Sequence, residues 1–160
     1  GAGDVAATEW CPWRSATLQG VVHDENAQAL GGACGHAGLF STADELARIG
    51  DALLGFGPPL LRAETVAHLW DRAHKVESGT YVLGWDTPSG PRSNAGARMT
   101  RDATVGHLGF TGTSLWIDRA QQRVVVLLTN RVHPSRDRAG IRWLRPTLHD
   151  AVVASMGSAD

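Results

Sequence analysis

Apolar residues at Leu46, Ile49, Leu53 and Leu54 recur at three- and four-residue spacing and line one face of a helix. Thr42 followed by Glu45 is a capping box, with Ser41 and Asp44 offering a competing register, and Gly55 is a C-terminal stop. The spacing predicts a helix over 42–54. After a turn at Gly57-Pro58-Pro59, Val66, Leu69 and Trp70 give the apolar side of a second helix, from Ala63 to about Trp70. The pattern then changes period. Tyr81 to Asp86 is rich in β-branched and aromatic residues and predicts a strand. Residues 87–104 hold Gly, Pro, Ser and Asn and predict a long loop. Thr113, Leu115 and Ile117 alternate with Ser114, Trp116 and Asp118, a strand of period two. Val124 to Leu128 is continuously apolar, as in a strand covered on both faces. Residues 118–123 join these two as a hairpin loop. Pro134 stops the last strand, and Arg136 onward is helical, with Ile141, Trp143 and Leu144 apolar. Pro146 fits the first turn of a final helix bearing Leu148, Val152 and Val153.

Residues 1–40 show little regular period. The order loop, helix, helix, three strands, helix predicts an α+β fold in one region, 1–160, with no internal repeat and no interdomain linker. Three strands with these helices cover one face of a sheet and do not obviously close a core by themselves.

The 160 residues are 42% hydrophobic and 19% charged, which places the chain among globular domains. A net charge of −1 gives no field that favours nucleic acid or an acidic membrane. No apolar run approaches the roughly 18 residues of a transmembrane helix. Cys11 and Cys34 are expected to be free thiols behaving as small apolar residues. The start, GAGDVAATEW, has no Met and no charged-then-apolar leader, so the chain is expected to be a fragment. Lys75 stands alone among 15 basic residues, which leaves any mechanism requiring a lysine one candidate.

Candidate chemistry gathers in two places. His107, framed by Gly106 and Gly109, sits at the leading edge of a strand, where it can polarise a substrate group. Gly109 would let a ligand lie along the strand backbone. His23, Asp24, Asn26 and His36 lie in and beside a glycine-rich loop. Two His and an Asp are possible zinc ligands, although no compact zinc spacing occurs and H-E-x-x-H is absent. The alternative is a loop corner in which Asp24 and Asn26 cap backbone N–H groups. A nucleophile is not found. There is no G-x-S-x-G elbow, no serine is followed by Lys three residues on, and Lys75 has Arg72 at that spacing. Thr111 and Thr113 lie near His107, but a nucleophilic Thr needs a positioned base. No phosphate loop or dinucleotide fingerprint is present, and no cofactor is expected.

Three pieces, read in order, resemble the serine β-lactamase-like family of class C β-lactamases, penicillin-binding D-Ala-D-Ala peptidases and related esterases. Gly38-Leu39-Phe40-Ser41-Thr42-Ala43-Asp44-Glu45-Leu46 is similar to the family's G-L-x-S-T-A-x-D-L helix entry. His107-Leu108-Gly109 is similar to its third active-site motif, K-T-G or H-T-G. WIDRAQQRVVVLLTNRVHP before a helix is similar to its last two strands and terminal helix. The resemblance implies a partial β-lactamase/transpeptidase-like fold, with an antiparallel sheet and helices packed on it, and a covalent mechanism. A serine of S-x-x-K attacks an acyl carbonyl, a Tyr or Ser of a second motif assists, and water releases the acyl-enzyme. His107 would then bind or polarise substrate, and the backbone N–H of Phe110 would supply half of the oxyanion hole.

The chain departs from that pattern. S-x-x-K and Y-x-N precede the helix entry in the family, and here neither does. Leu108 stands where the family has Thr, which removes a substrate-facing hydroxyl. The expectation is the C-terminal portion of a serine hydrolase whose nucleophile and N-terminal half lie outside this chain, with His23, Asp24, Asn26 and His36 at the site rim or packed beneath it. Its partners would be a small-molecule or peptide substrate and the missing half. Relatives are often exported, which points to a periplasmic or extracellular setting. Two competing readings are a non-catalytic binding or structural module using the same hairpin and loop, and a metal hydrolase using His23, Asp24 and His36.

Overall fold

The computed structural model describes residues 4–89 and 93–157. Two short strands, β1 (Trp10–Cys11) and β2 (Ala16–Thr17), pair antiparallel ahead of α1 (Glu25–Ala29). Then come α2 (Ala43–Leu54) and α3 (Ala63–Leu69). The main sheet is β3 (Thr104–Leu108), β4 (Thr113–Asp118) and β5 (Arg123–Leu128), antiparallel in the order β3-β4-β5, and α4 (Ile141–Met156) closes the chain.

α2 starts where the capping box places it. Thr42 Oγ1 accepts from the Glu45 N–H, and the Glu45 carboxylate accepts from the Thr42 N–H. It ends at Gly55, which takes φ +93, the left-handed conformation of a C-cap. Gly50 lets the helix lie on β5, because a Cβ there would fall 2.5 Å from Val124 Cγ1.

Pairing in register sets Val105 beside Ile117 and Ile117 beside Val124, so these share one face. That face carries Leu53 from α2, with Val66 and Trp70 from α3 and its C-cap. Trp116 and Val125 take the other face and pack with Ala95, Met99 and Val153 of α4. Both faces are therefore covered, as the apolar run of β5 predicts, although the helices were expected to cover one.

Three expectations change. Tyr81 to Asp86 is not a strand. Gly84, at φ +76, reverses the chain, Val82 N–H donates to Trp85 O at 2.8 Å, and only Tyr81 and Asp86 make bridge pairs. The first strand of the main sheet is instead Thr104–Leu108, which begins at the last residue of the expected loop and holds His107 near its end. α4 is one helix from Ile141 to Met156 with Pro146 in its interior, rather than a new helix started by that proline. The described part of 87–103 has no strand or helix but is fixed to the body. Asp150 Oδ1 accepts from the Ala97 and Arg98 N–H groups at 2.7 and 2.9 Å, and Asp118 Oδ2 accepts from Thr100 N–H at 2.8 Å.

Candidate active-site edge

β3 carries His107 out of the core. His107 shares the face of Val105 and Leu115 but lies beyond the apolar cluster and is exposed. The Tyr81 ring stands edge-on to it, with centroids 5.8 Å apart. Burial, and then the charge of Asp86, push the Tyr81 hydroxyl pKa upward. Leu108 turns the other way, and its side chain packs against the Trp116 cluster on the face opposite His107.

The outer edge of β3 is closed at one point. Asp86 and Gly106 exchange both backbone bonds, at 2.7 and 2.9 Å. Antiparallel alternation then turns the N–H and C=O of Leu108 off the same edge, because His107 and Gly109 face β4. Gly106 is required for the pairing: a Cβ would sit 2.2 Å from Trp116 Cε3.

Residues 109–112 form the turn into β4. Gly109 N–H donates to Thr113 O at 2.8 Å, and Gly112 N–H to Gly109 O at 3.1 Å. A Cβ on Gly109 would lie 2.0 Å from Thr113 Oγ1, so only glycine fits. Two arginines hold the turn's carbonyls. Arg145 Nη2 donates to Gly109 O and Thr113 O, both at 2.7 Å, and Arg131 Nε donates to Phe110 O at 2.7 Å. The Phe110 N–H has no hydrogen-bond partner among the described residues, and Phe110 is exposed.

The Phe110 ring is also held. Its centroid is 5.6 Å from the His23 ring, stacked at 24°, and the Arg131 guanidinium lies 4.1 Å from it. His23 is buried, and its Nε2 donates to Glu9 Oε1 at 2.9 Å. Glu9, also buried, accepts from Arg136 Nε at 2.7 Å, from Arg136 Nη2, and from the Arg136 backbone N–H at 3.1 Å. Arg136 reaches Glu25 as well, at 2.6 Å. These bonds from Arg136 hold the Glu9 and Glu25 carboxyls below the usual carboxylate range and push Arg136 upward. A cavity of about 400 Å³ adjoins the turn, lined by Leu108, Phe110, Arg131, Arg138, Arg142 and Arg145 among others.

The expected rim residues separate. His23 touches the turn. Asp24 caps α1, accepting from the Ala27 N–H at 2.8 Å, and this bond first, then His36, lowers its pKa. His36 Nε2 donates to Asp24 Oδ1 at 3.0 Å, and Cys34 Sγ lies 3.2 Å from His36 Nδ1. No bond of that second cluster reaches residues 107–110. Asn26 is an exposed residue of α1, so Asp24 alone does the capping once expected of both. His23 faces Glu9 while Asp24 and His36 face each other, so the three do not converge on a metal. Among the described residues no group of three or more His, Cys, Asp or Glu is arranged to hold one. Cys11 and Cys34 are both free thiols.

Sequence reasoning missed Glu9, Glu25, Arg131, Arg136 and Arg145. The one available signal was the run of arginines from Arg131 to Arg145 directly after an apolar strand.

Comparison with known proteins agrees with this architecture. The family model described as beta-lactamase matches residues 3–147. Proteins described as putative D-alanyl-D-alanine carboxypeptidases from Escherichia coli K12 and from Salmonella enteritidis PT4 are each 39% identical over 132 residues, covering 75% of this chain. The chain spans only 29% of the length of each. A crystal structure of a beta-lactamase from Mycobacterium bovis superposes with a TM-score of 0.60 at 25% identity, over 74% of this chain and 46% of that one. The fold is thus α+β and a partial beta-lactamase fold, and the chain belongs to the beta-lactamase family.

Proposed function

We propose that this chain is the substrate-edge portion of a serine hydrolase that cleaves an ester or amide bond through an acyl-enzyme, and that the attacking serine lies outside residues 1–160. The observation that carries it is the Phe110 N–H. The carbonyls on both sides of it are held by Arg145 and Arg131, and it has no acceptor among the described residues. A fixed, unpaired N–H beside an open strand edge is what stabilises a developing oxyanion. His107, exposed on the same strand and flanked by Tyr81, would bind or polarise substrate, and the backbone of Leu108, turned off the same edge of β3, would pair with it. The substrate is a β-lactam, a D-Ala peptide or a simple ester. Relatives described as D-alanyl-D-alanine carboxypeptidases favour the peptide.

The test is turnover by the longer protein that carries this chain. A D-Ala-D-Ala peptide, a chromogenic cephalosporin and a p-nitrophenyl ester are each assayed against it and against residues 1–160 alone. Saturable hydrolysis by the longer protein and none by the chain is the expected result. Saturable hydrolysis by the chain alone overturns the assignment.

A further inference from the structure

We infer that Glu9 is a positioning residue for the turn that presents the Phe110 N–H. The inference rests on the reading of that N–H as half of an oxyanion hole. Glu9 lies 101 positions before Phe110 in sequence and touches none of its atoms through a hydrogen bond, yet two routes run from its carboxylate to that residue.

The first route passes through His23. Its Nε2–H is taken by Glu9 Oε1 at 2.9 Å, which fixes the ring plane, and the ring stacks on Phe110. The second passes through Arg136 and Arg131. Glu9 takes both the side chain and the backbone N–H of Arg136. The Arg136 carbonyl in turn accepts from Arg131 Nη1 at 2.9 Å, and Arg131 Nε holds Phe110 O at 2.7 Å. Arg131 N–H also holds Thr111 O at 2.9 Å. One carboxylate therefore sets the two groups that fix the ring and the carbonyl of Phe110.

Burial gives this arrangement its force. Glu9 is 5% exposed and His23 7%, so water cannot substitute for either partner without opening the cluster. The Glu9→Gln side chain keeps the length but turns an amide NH₂ toward the N–H groups of Arg136 or His23. At least one bond is lost and one donor meets another donor.

The test uses the longer protein, with active sites titrated by acyl-enzyme formation so that misfolded enzyme is not counted. Glu9→Gln is expected to lower kcat per titrated site by roughly tenfold or more with KM within about threefold, because the misplaced donor acts on the transition state. His23→Leu, which cuts only the first route, is expected to give a smaller loss of the same kind, and serves if Glu9→Gln does not fold. Glu9→Asp should recover part of kcat. Hydrogen exchange supplies an independent arm. In Glu9→Gln the amides of Gly109 and Gly112 should exchange faster, while those of Val125 and Leu127 in β5 stay unchanged. Unchanged kcat together with unchanged turn exchange overturns the inference, as does faster exchange throughout the sheet, which marks a merely structural role. If the unsubstituted longer protein forms no acyl-enzyme, the functional assignment falls, and the exchange arm alone decides the role of Glu9.

Discussion

Arg145 shows how a single side chain fixes the site's geometry. It is buried on α4, spans to the carbonyls of Gly109 and Thr113, and its Nε has no hydrogen-bond partner among the described residues. Burial, with the charge of Arg131 second, pulls its pKa down. Replacement by Met should cost about 1.5–3 kcal/mol, the range for hydrogen bonds to charged groups, read as a lower urea midpoint at unchanged slope. Lys should recover only part, since an ammonium lacks the planar fork. His149, fully buried, gives a pH prediction. The Asn94 carbonyl accepts from Nδ1 at 2.7 Å, so Nε2 is free to accept from the Ser114 hydroxyl at 3.1 Å. The ring is thus held neutral, and burial keeps its pKa below the ordinary histidine value. As pH falls through about 6.5 the unfolded chain binds a proton that the folded chain refuses. Stability is therefore full above that pH and declines below it, until the folded ring also protonates. Thermal midpoints between pH 8 and 5 should show this decline, and His149→Gln should flatten it. Glu9 and Glu25, whose carboxyls are held low, act in a separate window below about pH 4.5.

At the scale of elements, α2 depends on two features that were legible from sequence and one that was not. Thr42→Ala removes the reciprocal cap and should cost about 1 kcal/mol by urea denaturation. Gly50→Ala should cost about 1–3 kcal/mol in the same measurement, because its Cβ meets Val124 and the helix must lift from β5. Nothing in the local sequence announces that contact, and helix propensity alone would favour Ala. The same contrast separates the elements read correctly from those read wrongly. α2, α3 and β4 carry their own periodicity, β5 its continuous apolar run, and α2 its caps. β3 does not: Thr104-Val105-Gly106-His107-Leu108 contains a glycine that lowers strand propensity, and it is there so that Trp116 can cross the strand. Tyr81 to Asp86 has the composition of a strand but is folded back at Gly84, with Val82 and Trp85 spent on the core. Pro146 is tolerated within α4 despite its missing N–H, a tertiary outcome that local reading assigns to a helix start.

For the whole molecule, the candidate edge was visible in sequence and its support was not. His107, Gly109 and Phe110 stand out as a glycine-framed run ahead of an alternating strand. Glu9, Arg136 and Glu25 become a unit only when chain segments separated by more than a hundred residues meet, and no spacing rule encodes that. The surface tells a related story. Trp10, Trp13, Leu39, Phe40, Leu60 and Trp143 are all exposed, and the chain spans 29% of the relatives it matches. Such side chains, where they gather into one patch, favour association or cover by a further segment. Purified residues 1–160 should sediment as concentration-dependent oligomers or precipitate, and a stable monomer at high concentration would argue against the fragment account. On the proposed function the acylated serine lies outside residues 1–160. Intact and peptide-level mass spectrometry after incubation with a penicillin or an activated ester tests it most directly. The longer protein should gain one acyl mass on a serine outside these 160 residues, and the isolated chain should gain none. An acyl group on any residue from Gly1 to Asp160 would contradict the account.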